Sequence, residues 1–157
     1  MATTLSIDSI DQLDWRSENS FLILSLNWKK VNPSKYKQVL SEVEKLSFDE
    51  PSIVLSSSGT LSASKLKLVV LPLKSLLCSA ESVNKWIKSD SNDVWLNALP
   101  ISHVGGLSIF ARSFLSDAEV IDISDQTWNV EVLVKQLTES KISILSLVFI
   151  ISIYRFE

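Results

Sequence analysis

The stretch that decides the fold lies in the second half of the chain, at residues 94–123, and reads VWLNALPISHVGGLSIFARSFLSDAEVIDI. Residues 94–99 form an apolar run of strand length, which Pro100 ends. Residues 106–115 then predict a helix, and residues 118–123 form a second apolar run of strand length. A strand, a helix and a strand in this order are typical of a βαβ unit, in which the two strands are parallel.

The same alternation extends through the rest of the chain. Further strands are predicted at residues 21–26, 52–56, 66–71 and 142–148, and further helices at residues 36–46, 76–87 and 129–140. The sequence therefore predicts an α/β fold, with a mostly parallel sheet flanked by helices. Since neither an internal repeat nor a linker rich in glycine or proline divides the chain, we expect residues 1–157 to form one structural unit.

Composition argues against several classes of function. The net charge of −3 leaves no basic stripe for the phosphates of a nucleic acid, so we expect no nucleic-acid partner. One cysteine, Cys78, and one histidine, His103, cannot form a disulfide framework or a Cys/His zinc site, and a reducing cytoplasm is the expected setting. The uncharged, mostly apolar run at residues 142–154 is shorter than the roughly twenty residues that a membrane-spanning helix needs, so no membrane span is predicted.

A serine-rich segment at residues 57–67 joins two of the predicted strands and reads SSGTLSASKLK. Hydroxyls, free backbone N–H groups and a lysine are the groups that bind a polyphosphate, since its oxygens accept hydrogen bonds and its charge must be offset. The segment is not a Walker A loop, because a second glycine directly before Lys-Ser/Thr is missing. The sequence leaves two interpretations open: a phosphate-binding loop, or a solvated turn with lysines at a strand edge.

The other candidate site is the segment LPISHVGGL at residues 99–107, which directly follows a predicted strand. In an open α/β sheet, ligands bind at the carboxyl ends of strands, and a glycine pair permits close approach. A structural turn, with His103 bonded to the main chain, is the alternative. No G-x-S-x-G sequence surrounds a serine and no local signature pairs His103 with Cys78, so no catalytic residue is predicted. We expect Cys78 to pack on the apolar side of its helix.

In their order along the chain, these features resemble the adenylate-forming superfamily of acyl-CoA synthetases, most closely its o-succinylbenzoate–CoA ligase branch in menaquinone biosynthesis. Residues 57–60, SSGT, are similar to the start of the family's loop S/T-S-G-T-T-G-x-P-K-G, and residues 67–80 to its K-G-V-V-L and L-L-A-S-A continuation. Residues 95–109, WLNALPISHVGGLSI, are similar to the branch's W-L-x-x-L-P-L-F-H-V-G-G-L-S-I. Residues 146–148, SLV, fall where the family has S-L-V-P-T.

The resemblance implies an activity and a set of site residues. In that family ATP and a carboxylate form an acyl-adenylate with Mg²⁺ present, and the thiol of CoA then displaces AMP to form a thioester. The residues implied to bind the β- and γ-phosphates, apart from a lysine, are Ser57, Ser58, Gly59 and Thr60. The lysine is Lys65 if counted from the loop glycine, or Lys67 by the ungapped match downstream, which we prefer. His103, Gly105 and Gly106 are implied to border the acyl pocket.

The sequence also departs from the family's pattern. The loop lacks the second glycine and the proline, and residues 149–157 match nothing in the family, as expected from a frameshift, a premature stop or a split gene. The Y-G-x-T-E stretch that holds adenine and Mg²⁺, the ribose-binding aspartate, the hinge and the C-terminal domain with its catalytic lysine are not in the sequence. We therefore expect residues 1–157 to be a partial AMP-binding N-terminal domain with an atypical tail, inactive alone, whose partner is the missing part of the ligase.

Two alternatives stay open at the level of function. The chain could be a fragment of another acyl- or aryl-CoA ligase, because most of the acyl pocket would be built by the absent part. It could instead be a non-catalytic remnant or interaction module that keeps the fold without the chemistry, which the incomplete loop favours.

Overall fold

The computed structural model describes residues 4–56, 66–126 and 129–146. The strands are β1 (Thr4–Ile7), β2 (Ser20–Ile23), β3 (Ser52–Ser56), β4 (Leu68–Pro72), β5 (Val94–Asn97), β6 (Glu119–Asp122) and β7 (Ile144–Leu145). The α-helices are α1 (Leu26–Val31), α2 (Pro33–Val43), α3 (Leu73–Ile87), α4 (Val104–Ser116) and α5 (Val130–Glu139), and a short 3₁₀ turn covers Ile10–Gln12. The predicted α/β fold is confirmed.

The described strands form two sheets rather than the one sheet that the sequence predicts. The first has the order β1-β2-β3-β4 and the second the order β6-β5-β7. All neighbouring pairs are parallel except β3 and β4, which are antiparallel. The pair β3 and β4 is antiparallel because the connection between them, residues 57–67, is shorter than the dozen or more residues that a parallel crossover needs.

Helices cover both faces of the first sheet, and alternate side chains along its strands point to one face or the other. Phe21 and Ile53 face the side where α3 and α4 pack, and contribute to a core with Leu107 of α4. Leu22 and Val54 point to the opposite face and form a second core with Val43 and other residues of α2. The continuous apolar runs of β2 and β3 follow from burial on both sides.

The second sheet is covered on both faces in the same way. Trp95 of β5 packs with Ile109 of α4 on one face, and Leu96 packs with Leu133 of α5 on the other. The layers are therefore α2, first sheet, α3 with α4, second sheet and α5. Among the described elements, the helices α3 and α4 form the layer that contacts both sheets.

Several predicted details differ from the structure. Cys78 is exposed, so the prediction that it packs on the apolar side of its helix is wrong. The buried stripe of α3 runs through Leu76 and Ala80, and a residue two positions after Leu76 lies about 200° around the helix from it. The strand predicted over residues 142–148 is reduced to β7, and its last two residues lie outside the described part of the chain. Among the described residues, no helix is long and apolar enough to span a bilayer.

Candidate functional site

The N-terminus of α4 is the centre of the candidate site. His103 is the residue before the helix, in extended conformation, and its Nδ1 accepts a hydrogen bond from the N–H of Gly105 at 3.1 Å. The imidazole thus takes the capping role that serine or asparagine usually fills. The backbone of His103 is also held, because its N–H donates to the carbonyl oxygen of Pro100 at 3.0 Å and its carbonyl accepts from Leu107 at 3.1 Å. A neutral ring that accepts at Nδ1 carries its proton on Nε2, so Nε2–H is the group available to a ligand oxygen.

The two glycines let the first turn of α4 lie against the preceding loop. A Cβ on Gly106 would lie 2.5 Å from the carbonyl oxygen of Pro100 and closer still to that of Leu99, so no side chain fits there. A Cβ on Gly105 would lie 3.0 Å from Cδ1 of Leu99 and 3.2 Å from Nδ1 of His103, which are atoms of side chains that can shift. Neither glycine has a positive φ, so close approach and not backbone conformation requires glycine at residue 106.

A buried asparagine fixes the loop between β5 and α4. Asn97 is fully buried; its Nδ2 donates to the carbonyl oxygen of Leu99 at 2.9 Å and its Oδ1 accepts from the N–H of Leu99 at 3.1 Å. Nδ2 also donates to Oδ1 of Asp122 at 3.0 Å, and that oxygen accepts from the N–H of Ser124 at 2.9 Å. These hydrogen bonds therefore connect the loop after β5, which leads to α4, with the loop after β6. The sequence does not single out Asn97, because it lies inside an apolar run and its polarity is the one signal there.

These groups lie where ligands bind in α/β proteins. The loop after β5 leaves the carboxyl end of a parallel strand and leads into a helix N-terminus, whose partial positive charge suits an anionic group. His103, Gly105 and Gly106, which were predicted together, are close in space. The arrangement can orient a hydrogen-bond donor toward a carboxylate or carbonyl oxygen at that edge of the sheet.

Most of the predicted phosphate loop lies outside the described residues: Ser57, Ser58, Gly59, Thr60 and Lys65. The structure does describe both ends of this segment. Ser56 pairs with Leu68 in the antiparallel ladder of β3 and β4, so the segment leaves and rejoins the sheet at one point. Lys67 immediately precedes β4 and is exposed. The choice between Lys65 and Lys67 stays a prediction.

The two parts of the predicted site belong to different sheets. Lys67 stands at the end of the first sheet, whereas His103 follows the central strand of the second. Within the described ranges, no hydrogen bond or ion pair joins the two side chains. Nor does that part of the chain contain a group of three or more His, Cys, Asp or Glu side chains that could hold a metal ion.

Comparison with known proteins gives a result for the fold only. No protein-family profile matches the sequence, and no curated protein matches it. Among solved structures, o-succinylbenzoate CoA synthetase (MenE) from Bacillus subtilis in complex with the acyl-adenylate intermediate OSB-AMP matches with a TM-score of 0.54 and 22% identity, covering 80% of this chain and 35% of its own.

Further structures match at similar levels. The same enzyme in complex with ATP and magnesium has a TM-score of 0.54 and 20% identity, covering 81% of this chain and 29% of its own. The inhibitor-bound N-terminal domain of FACL13 from Mycobacterium tuberculosis has a TM-score of 0.54 and 16% identity, covering 82% and 37%. This chain thus spans 29% to 37% of the length of these three structures. It has the α/β fold found in the N-terminal region of adenylate-forming acyl-CoA ligases.

Proposed function

We propose that this chain is the N-terminal portion of an adenylate-forming acyl-CoA ligase that acts on o-succinylbenzoate. The whole enzyme joins ATP and the acid into an acyl-adenylate with release of pyrophosphate, and then transfers the acyl group to the thiol of CoA with release of AMP, as a cytoplasmic step of menaquinone biosynthesis. The observation that carries the proposal is the start of α4, where His103 caps the helix and Gly106 has no room for a side chain. This geometry gives a physical reason for the motif at residues 95–109.

His103 is the residue that we propose to contact the acid. Its Nδ1 is occupied by the N–H of Gly105, so the ring has a fixed orientation and offers Nε2–H to an oxygen of the substrate. Gly105 and Gly106 act as positioning residues, because the space that they free is filled by Leu99 and Pro100. A donor that is fixed before the ligand arrives binds without reorganisation.

Residues 57–60 and a lysine, preferably Lys67, form the proposed phosphate site. Hydroxyl and backbone N–H groups donate to the β- and γ-phosphate oxygens, and the lysine offsets their charge. Mg²⁺ would offset phosphate charge when it is bound. We propose that the metal ligands, the ribose contact and the catalytic lysine belong to a further part of the ligase, which is the proposed partner of this chain.

A second candidate function rests on a specific observation. Residues 57–67 contain one glycine, Gly59, so the loop has less of the free backbone that a phosphate site uses. A non-catalytic remnant that keeps the fold is consistent with this loss. A fragment of a ligase for another acyl or aryl acid is the nearer alternative, since the part of the pocket in this chain is small.

Titration of the ¹⁵N-labelled chain followed by NMR tests the proposal. We expect ATP to bind weakly, with a Kd of about 1 mM, and to shift the amides of residues 57–67. Added salt should weaken this binding because the contacts are charge-assisted. Lys67→Ala should lose more affinity than Lys65→Ala. Separately, o-succinylbenzoate should shift the amides of Gly105 and Gly106.

His103→Asn is the matched variant for the acid site. Asparagine keeps the helix cap because its side-chain oxygen can accept from the same N–H, but it lacks the imidazole Nε2–H. We expect it to fold normally and to lose most of its affinity for o-succinylbenzoate. No ATP shifts in the loop would overturn the ligase proposal in favour of the remnant, and equal affinity for an unrelated aryl acid would overturn the choice of substrate. DNA downstream of the Glu157 codon that encodes Y-G-x-T-E would support the ligase independently.

A further inference from the structure

A cavity of about 390 Å³ lies at the opposite end of α4 from His103. Leu115, in the last turn of α4, lines it, and the length of the helix separates the two places by roughly 18 Å. Pro51 also lines the cavity and immediately precedes β3, whereas the serine-rich segment follows β3. The cavity is therefore distinct from the site proposed for ATP and the acid.

The walls of this cavity are apolar and one of them is aromatic. Leu73 and Leu77 of α3 and the ring of Trp15 contribute to the lining. Trp15 is itself held in place, because its ring stacks on Phe114 with centroids 5.8 Å apart and planes at 22°. The volume falls within the range of pockets that bind small molecules, and the walls favour an apolar body, which argues against an inorganic anion.

The charged side chains of the lining are two cations and two carboxylates, and Lys85, which pairs with one of the carboxylates, brings the local sum to +1. Arg16 and Lys74 line the cavity and make no ion pair within the described residues. Of the two carboxylates in the lining, Glu81 is paired with Lys85 at 2.8 Å and Glu50 is not. Two cations therefore face one unpaired carboxylate.

The start of α3 adds to the same polarity. Its N-cap residue is Pro72, which supplies no side-chain cap, and its first turn has no acidic residue. The N–H of Leu73 is used, since it donates to the carbonyl oxygen of Pro51 at 2.8 Å. Lys74 is the next residue, so the partial positive charge of the helix end and a lysine lie on one side of the cavity.

The geometry points to a small aromatic carboxylate as the ligand of this cavity. Its ring lies among Trp15, Leu73 and Leu77, and its carboxylate lies toward Arg16 and Lys74. None of these residues belongs to the site proposed for ATP and the acid, so the assignment stands or falls independently of the proposed ligase function.

Benzoate is the probe that we choose, with benzamide as its neutral counterpart of the same shape. In NMR titrations of the full chain, benzoate should shift the indole N–H of Trp15 and the amides of Leu73 and Lys74. The indole of Trp86, which is 85% exposed elsewhere on α3, should not move. Benzamide should bind about tenfold more weakly, as expected from the loss of two partly exposed charge contacts.

Charge variants distinguish binding in the cavity from nonspecific binding elsewhere on the protein surface. Arg16→Gln and Lys74→Gln should each weaken benzoate binding roughly threefold, as for exposed charge pairs, without unfolding the chain, because both side chains are exposed. Lys30→Gln removes an exposed lysine from α1, outside the cavity lining, and should change nothing. Equal binding of benzamide, equal shifts at Trp86, or an effect of Lys30→Gln as large as that of Lys74→Gln would each overturn the assignment.

Discussion

Gly106 is the residue at which the site tolerates least change. Gly106→Ala would drive a Cβ into the carbonyl oxygens of Leu99 and Pro100, which are backbone atoms that cannot rotate away. We expect it to lower the free energy of unfolding by about 2–3 kcal/mol, as for overpacked sites. Gly105→Ala is the matched control, because its Cβ meets side-chain atoms of Leu99 and His103 that need to give by only a few tenths of an ångström. It should stay within about 1 kcal/mol of the wild type in urea denaturation, and equal losses for both variants would contradict this account.

The residues of the candidate site differ in how far the sequence could reveal them. His103, Gly105 and Gly106 were predicted because their types are rare in this chain and they follow a strand. Their capping and packing roles could not be predicted, since these depend on where the loop from Leu99 returns. Asn97 went unnoticed because its partners, the backbone of Leu99 and a carboxylate on the neighbouring strand, are set by tertiary structure.

At the scale of elements, the short strand β7 is anchored by a carboxylate. The Oγ of Ser143 donates to Oδ1 of Asp93 at 2.7 Å and accepts from the N–H of Val94 at 3.0 Å. Hydrogen bonds hold the pKa of Asp93 below its usual value of about 4; the larger effect comes from the Ser143 hydroxyl and the smaller from the N–H of Asp90. A carboxyl group whose pKa is lowered by folding stabilises the protein at any pH above its pKa in the unfolded state. This stabilisation is lost as the pH falls through its pKa in the folded state.

The comparison of Ser143→Ala with the wild type isolates this contribution. Above about pH 5 the wild type should be more stable, by less than about 1 kcal/mol because Asp93 is partly exposed to solvent. The difference should shrink as the pH falls below about 4. Urea midpoints at pH 6 and pH 3 measure it, and other carboxylates cancel because both proteins carry them. A difference that grows on acidification would contradict the assignment.

The elements themselves show which patterns are informative. The strand predicted at residues 52–56 is found with those bounds, because a buried apolar run between polar ends is unambiguous. The sequence does not predict the helix Leu26–Val31, because the apolar run at residues 21–26 reads as one strand. In the structure the strand ends earlier, and Ser25 caps the helix by accepting a hydrogen bond from the N–H of Trp28. The division into two sheets was also missed, because periodicity does not say which strands pair.

At the scale of the molecule, the shared layer of α3 and α4 predicts one cooperative transition. Leu107 is fully buried against the first sheet, and Ile109 of the same helix packs against the second. Leu107→Ala should lower the free energy of unfolding by about 2–5 kcal/mol. The indole signals of Trp28, beside the first sheet, and Trp95, in the second, should then disappear at the same lower urea concentration.

A variant confined to one side provides the control. Leu133 lies on α5 and packs only in the core of the second sheet. If the layers unfold as one unit, Leu133→Ala lowers the midpoints of both indole signals together. A midpoint that falls for Trp95 and not for Trp28 would contradict the single unit.

The segregation of the two sheets along the chain has a consequence for biosynthesis. The strands of the first sheet are complete once Pro72 has left the ribosome, but one face of that sheet is finished only by Leu107 and its helix, which are translated later. During that interval the nascent chain displays Phe21 and Ile53 without their final cover. The interval between the translation of Pro72 and that of α4 is therefore the stage at which exposed apolar surface would favour aggregation or chaperone binding.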